Sequence, residues 1–213
     1  HYSGYVHCDM HGAYRQLESA QLVGCWAHVR RKFFEATPKQ ADKTSLGCKG
    51  LVYCDKLFAL EAEWRDLSPQ ERLVKRKEIL TPLMTTFFDW CREQVVLSGS
   101  KLGLAIAYSL KHERTFKTIL EDGHLVLSNN MAERAIKSLV MGRKNWLFSQ
   151  SFEEAKATAI VMSLLETAKR HGLNSEKYMS YLLAHLPNEE TLAKREVLEA
   201  YLPWAKEVQI NCQ

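Results

Sequence analysis

Glu133 is followed closely by Arg134, Lys137, Arg143 and Lys144, in a stretch that opens Ser128-Asn129-Asn130-Met131-Ala132 and runs on to Trp146-Leu147-Phe148. One carboxylate in the first turn of a helix with cations behind it is the arrangement expected of a metal-bound acid on a phosphate-handling surface. A second carboxylate, Asp9, ends the apolar run Gly4-Tyr5-Val6-His7-Cys8, which reads as a buried strand. Strand ends are where many nucleotidyl-transfer enzymes hold metal ligands, so the pair points to phosphodiester chemistry. In-line attack puts negative charge on both the entering and the leaving oxygen, and two magnesium ions about 4 Å apart stabilise both. Carboxylates are the ligands magnesium prefers. Each acid also has a plainer reading. Asn130 followed by Glu133 is a helix-start signature, in which Asn caps and Glu reaches back toward the positive end of the helix dipole. An Asp after a strand is commonly a turn residue.

The elements that must carry these acids follow from periodicity. A strand Tyr5 to Asp9, a short helix Ala13 to Ala20, a strand Leu22 to Trp26 and a helix Ala27 to Ala36 alternate in a way that implies a parallel pair within a mixed sheet. Pro38 and the polar run Lys39 to Ser45 mark a linker. Beyond it Tyr53, Leu57, Leu60 and Trp64 share one face of an amphipathic helix, and Ser68-Pro69 restarts a helix with Ser as cap. Leu80, Leu83, Phe87 and Trp90 are the core stripe of that helix, with a kink expected at Pro82. Helices Leu102 to Leu110 and Glu113 to Leu120 close at Asp122-Gly123, and His124 to Leu127 reads as a short extended piece leading into an Asn130 cap. Phe152 to Gly172 is a long helix with a glycine stop. Asn174 to Leu186 follows, and the charged stretch after Pro187 reads as a peripheral helix with a frayed tail.

Composition bounds the class. The 213 residues are 46% hydrophobic, enough for a core of one large or two small domains. A net charge of +4 permits nucleic-acid binding without requiring it. No run approaches the ~18 apolar residues of a membrane span, and no signal-peptide pattern opens the chain. Six cysteines without a Cys-x-x-Cys pair read as reduced thiols of a cytoplasmic protein. Cys8, His11, Cys25 and His28 could in principle hold tetrahedral zinc, on loose spacing. His28 has two other readings: a hydrogen bond to a phosphate or carboxylate near Asp9, or a satisfied histidine at a helix start.

Four strings carry a family resemblance: Val6-His7-Cys8-Asp9-Met10-His11-Gly12-Ala13-Tyr14, Gly24-Cys25-Trp26-Ala27-His28-Val29-Arg30-Arg31-Lys32-Phe33, Asn129-Asn130-Met131-Ala132-Glu133-Arg134-Ala135-Ile136, and Gly142-Arg143-Lys144-Asn145-Trp146-Leu147-Phe148. With Ser163 to Leu173 and the Leu202-Pro203-Trp204 tail, the chain resembles transposases of the insertion-sequence-66 family along nearly its whole length. The resemblance implies a DDE transposase acting in DNA cleavage and strand transfer, with a ribonuclease-H-like core interrupted by a helical insertion between the second and third acids. Asp9 matches the family's second Asp and Glu133 its closing Glu, so both are the implied catalytic and metal-binding residues, with Mg or Mn as the metal. The implied partner is DNA, both transposon ends and target.

That resemblance sets the remaining expectations. The fold is mainly α with a small α/β part, an incomplete ribonuclease-H-like core: residues 1–37 and 124–173 form the core, 46–123 the all-helical insertion and 174–213 C-terminal helices and tail. His28, Arg30, Arg31, Lys32, Arg134, Lys137, Arg143 and Lys144 are the phosphate-contacting candidates, and Trp146 either stacks on a base or packs. The family's first Asp lies upstream of the motif that begins here at Tyr5, so the 213 residues correspond to a carboxy-terminal fragment expected to be inactive alone. Such a fragment is expected to self-associate or to pair with a full-length transposase. Met10-His11 stands where the family usually has Gly-Tyr, so the turn after Asp9 is expected to use ordinary dihedrals. The alternative is a non-enzymatic helical module that binds DNA or protein and regulates a full-length transposase.

Overall fold

The apolar run from Gly4 onward builds strand β1 (Gly4–Cys8), which pairs in parallel with β2 (Ala20–Gly24) in the register Gly4 to Ala20 through Cys8 to Gly24. The structure is a computed structural model that describes residues 2–40, 42, 44–146 and 149–213; the side chains of Arg15, Leu139, Arg143, Lys144, Asn145 and Trp146 lie outside the described set. The link between the strands is a 3-10 turn, Gly12–Gln16, and not the α-helix expected to Ala20. β2 starts at Ala20, two residues earlier than its apolar run suggests, which shortens the link. Cys25 then stands before helix α1 (Trp26–Ala36), so Trp26 belongs to the helix and not to the strand.

The helices between residues 46 and 123 form as their caps dictate. The Ser45 hydroxyl accepts the Cys48 N–H at the start of α2 (Leu46–Glu63). Ser68 and Glu71 form a reciprocal capping box on α3 (Pro69–Lys75), whose Pro needs no N–H partner in the first turn. The helical run does not break at Pro82. The turn before it, Arg76–Leu80, widens to π spacing, and α4 (Thr81–Glu93) continues with the proline in its first turn. A proline removes one donor and clashes with the carbonyl four residues back, and the wider turn absorbs both defects. The block continues with α5 (Lys101–Lys111), α6 (Glu113–Lys117) and a 3-10 turn, Thr118–Leu120. Residues 124–127 form no strand; instead the Leu127 carbonyl accepts the Trp26 N–H at 2.8 Å, returning the chain to the start of α1.

Chain contacts divide the protein into two units, 1–132 and 133–213. The first has one core. Trp26 lies fully buried with ring centroids 5.5, 5.9 and 5.3 Å from those of Phe87, Phe88 and Phe116, and its indole N–H donates to the Phe116 carbonyl at 3.2 Å. Val23 of β2 and Val29 and Phe33 of α1 share that core with Leu57, Leu80, Met84, Phe87 and Ile106. The strand pair therefore buries its face directly on the helices that follow it.

Helix α7 (Asn130–Trp146) opens at the end of the first unit and continues in the second. Because the helix begins at Asn130, that residue is part of its first turn and does not stand before it as the expected cap. The second unit continues with α8 (Phe152–Arg170), α9 (Ser175–His185), α10 (Arg195–Glu199) and α11 (Lys206–Asn211). Gly172, at φ +76°, ends α8: its N–H bonds the Lys169 carbonyl and the Leu173 N–H bonds that of Ala168. These are the paired hydrogen bonds of a left-handed helix stop, and they carry Leu173 onto Ala168 in the unit's core. The expected frayed tail is absent: Val208 and Cys212 are fully buried against Tyr178 and Leu182, and the Cys212 carbonyl accepts the Asn174 N–H at 2.8 Å. The protein is mainly helical with a small two-stranded sheet, and among the described residues no helix is long and apolar enough to cross a membrane.

Candidate functional site

Asp9 follows the last residue of β1, so its position is fixed by the strand ladder beneath it. Its Oδ1 accepts the His11 N–H at 2.9 Å, a local turn bond, and its carbonyl accepts the Tyr108 hydroxyl at 3.1 Å. The turn does not use ordinary dihedrals. Met10 takes φ +68°, the left-handed region, where a side chain costs roughly 1–2 kcal/mol. What holds it there is packing, because Met10 lies against the first unit's core. Tyr108 is a second brace. Its hydroxyl pKa is pushed far above the usual tyrosine range by burial and then by the nearby thiols and Asp9, so it donates as a neutral phenol at any working pH.

The basic residues of α1 go in different directions. Arg30 Nε pairs with Asp55 of α2 at 2.6 Å, both half-exposed. The Lys32 ammonium lies 4.7 Å from the centre of the Tyr108 ring, which brings it to the Asp9 end of the sheet. Arg31 is exposed, and with Arg30, Phe34, Phe58 and Asn130 it lines a hollow of about 400 Å³. His28 is half-buried one turn into α1. Lys32 is thus tied to Asp9 through Tyr108.

Glu133, Arg134 and Lys137 are exposed on α7. Ser138 on the same helix donates to Glu166 of α8 at 2.6 Å, and Lys169 bonds that carboxylate at 2.8 Å; these two bonds, the lysine's first, hold the Glu166 carboxyl below its ordinary pKa. Arg143, Lys144 and Trp146 are helical by backbone, but their side chains lie outside the described residues, as do Leu147 and Phe148 entirely. Asp9 belongs to the first unit and Glu133 opens the second. Among the described residues no three His, Cys, Asp or Glu side chains gather as a metal site, and this includes Cys8, His11, Cys25 and His28.

Sequence reasoning passed over Arg76. It is fully buried, and all five of its N–H groups are used: Nε and Nη2 grip the two oxygens of Glu61 at 2.7 Å each, Nη1 donates to the Ile119 and Asp122 carbonyls at 3.1 and 2.8 Å, and Nη2 also donates to Leu125 at 2.7 Å. One turn earlier, Arg72 bonds the carbonyls of Trp64, Arg65, Leu67 and Gly123. The signal was present, because Arg76 falls on the apolar stripe with Leu73 and Leu80, where an exposed arginine has no place. The two arginines fix the loop that leads into Leu125 and Leu127, and Gly123 must pass so close to the Pro69 carbonyl that an added Cβ would overlap it at 1.7 Å.

The family profile described as Transposase IS66 family matches residues 1–157, and that of the IS66 C-terminal element matches residues 163–204. The chain belongs to the IS66 transposase family. Its relatives include three uncharacterized proteins of Sinorhizobium fredii (strain NBRC 101917 / NGR234). It is 30% identical to y4qI, 28% to y4hP and 26% to y4jD, each over 95% of this chain. The IS66 chain spans about two-fifths of the length of these relatives, 39% of y4qI, 40% of y4hP and 41% of y4jD. No solved structure matches it.

Proposed function

We propose that these residues are the carboxy-terminal part of the catalytic region of a DDE transposase, acting on DNA by metal-dependent cleavage and strand transfer. The observation that carries the reading is Asp9, held at the carboxy end of a strand in a parallel pair, inside the stretch that matches the transposase family. In this reading the sheet is part of a ribonuclease-H-like core and the helices from residue 46 to 123 are the insertion within it. Asp9 and Glu133 are two of the three metal-binding acids. Their oxygens suit magnesium or manganese, and Asp9 Oδ2 accepts no hydrogen bond among the described residues. Two such acids do not make a complete site, so no catalytic step is assigned to this chain through a metal. Its own residues bind and orient: Tyr108 and Lys32 fix the Asp9 end of the sheet, and the exposed cations Arg31, Arg134 and Lys137, with Arg143 and Lys144, meet phosphates.

A polypeptide of these 213 residues is therefore expected to bind DNA weakly and to leave it uncut with magnesium or manganese. The active-residue assignment is tested in a full-length relative such as y4qI, by replacing the residues aligned with Asp9 and Glu133 by Ala. Strand transfer should be lost while transposon-end binding persists. Retained strand transfer in either variant, or cleavage by the 213-residue chain alone, would overturn the reading.

A further inference from the structure

Two hollows of the first unit meet at one aromatic ring. The first, of about 400 Å³, is lined by Arg30, Arg31, Phe34 and Phe58, and ends at Asn130, the first residue of α7. The second, of about 340 Å³, is lined by Phe58, Glu61, Arg65, Arg72 and the backbone run Val126 to Ser128. Phe58 belongs to both, and the same backbone run supplies Val126 to Ser128 to one and Asn130 to the other, so together they make one trough along α1 and α2.

Its charge is lopsided. Arg30, Arg31, Arg65 and Arg72 line it against a single acid, Glu61, and that carboxylate is spent on Arg76 behind the wall. Asp55 balances Arg30 alone. Arg72 is bound by neutral carbonyls, which orient it without cancelling its charge. Arg31 and Arg65 are exposed. Phe34 is 63% exposed, an apolar ring left in water one helical turn after Arg30 and Arg31.

We propose that this trough is a track for single-stranded nucleic acid, with phosphates on Arg31 and Arg65 and bases stacked on Phe34 and Phe58. The inference rests on the DNA-handling reading above and adds strand form and residues to it. Cations alternating with exposed aromatic faces are what an unpaired strand requires, because every base offers a π-face and every linkage a charge. A duplex keeps its bases inside and would meet the arginines only, leaving the exposed Phe34 ring in water and the open side of the half-buried Phe58 uncovered. Each hollow is also of the size that takes one small flat group.

The test uses the whole chain with two labelled probes, an oligothymidylate of about 20 nucleotides and a duplex of equal length, each titrated at several salt concentrations. Phe34→Ala is safe for the fold, since the ring is exposed, and circular dichroism checks it. It should weaken oligothymidylate binding about tenfold or more and duplex binding less than about twofold. Arg31→Gln with Arg65→Gln should lower the single-strand salt slope by roughly 0.7 per arginine. A 5-iodouracil probe should cross-link at Phe34 or Phe58. Equal loss on both probes, no loss on either, or cross-links confined elsewhere would overturn the track and leave the DNA reading standing. Binding to neither probe would remove both, and an acidic peptide captured by Arg31 and Arg65 in that case would make the trough a protein-docking face.

Discussion

Met10 and His7 are the residues where local chemistry departs furthest from what their types suggest. At an ordinary position glycine is less stable than alanine by about 0.5–1 kcal/mol, because it is freer when unfolded. At a position held at φ +68° the order should invert, so Met10→Gly should unfold at higher urea than Met10→Ala by about 1 kcal/mol, although both lose the same core contact. Equal stabilities would mean the turn relaxes once the side chain is gone. His7 is biased toward its neutral form: burial first, then the Arg76 charge, lowers its pKa from the ordinary 6.5. The unfolded chain then binds the proton more readily, so stability is full above about pH 6.5 and falls as acid takes the pH down toward the lowered value. His7→Gln should flatten urea midpoints across that window, whereas an unchanged slope would assign it elsewhere. Asp9 was legible because an apolar run ends there. Its left-handed neighbour was not, because a methionine gives no local sign of that conformation and only the core contact explains it.

At the scale of elements, caps were the readable part. Ser68-Pro69-Gln70-Glu71 and Gly172 carry their geometry in their types, and both form as their sequence directs. Boundaries set by competition were not readable, such as β2 starting at Ala20 or the π turn that accommodates Pro82. Arg76 lies in that turn and joins it to Glu61 on α2 and to the loop from Ile119 to Leu125. Removing it leaves Glu61 without its partner in a site largely closed to water, a loss of about 3–5 kcal/mol for Arg76→Ala. Arg76→Lys should recover little, since an ammonium cannot reproduce the planar fork. Thermal unfolding of the three proteins decides it, and a lysine variant as stable as the parent would show that charge alone matters there.

For the whole molecule the open question is the outer edge of β1. A strand in a two-stranded sheet pairs on one side, so alternate backbone groups of β1 lack a sheet partner among the described residues. Tyr2 covers part of that edge, its hydroxyl donating to the Tyr5 carbonyl at 2.9 Å. We expect the rest to drive self-association: light scattering should give a mass that rises with concentration, and Ser3→Lys, a charge at an exposed position beside the strand, should hold the chain nearer to monomer. A concentration-independent monomer for the parent chain would remove the expectation. The catalytic assignment had the least support in composition at this scale, because a mild net charge says nothing of which face meets DNA. Membership in the family was legible in short strings, one running through the end of a strand to Asp9 and one opening the helix that carries Glu133.

The ring of acceptors around Arg76 is also a mould. Two carboxylate oxygens and three carbonyls converge there on one planar, five-donor cation. If the side chain is cut back to alanine, the vacated space keeps the outline of a free guanidinium ion. A salt known as a denaturant would then act, at doses well below denaturing ones, as a replacement part for that one variant, raising its melting temperature while leaving the parent untouched.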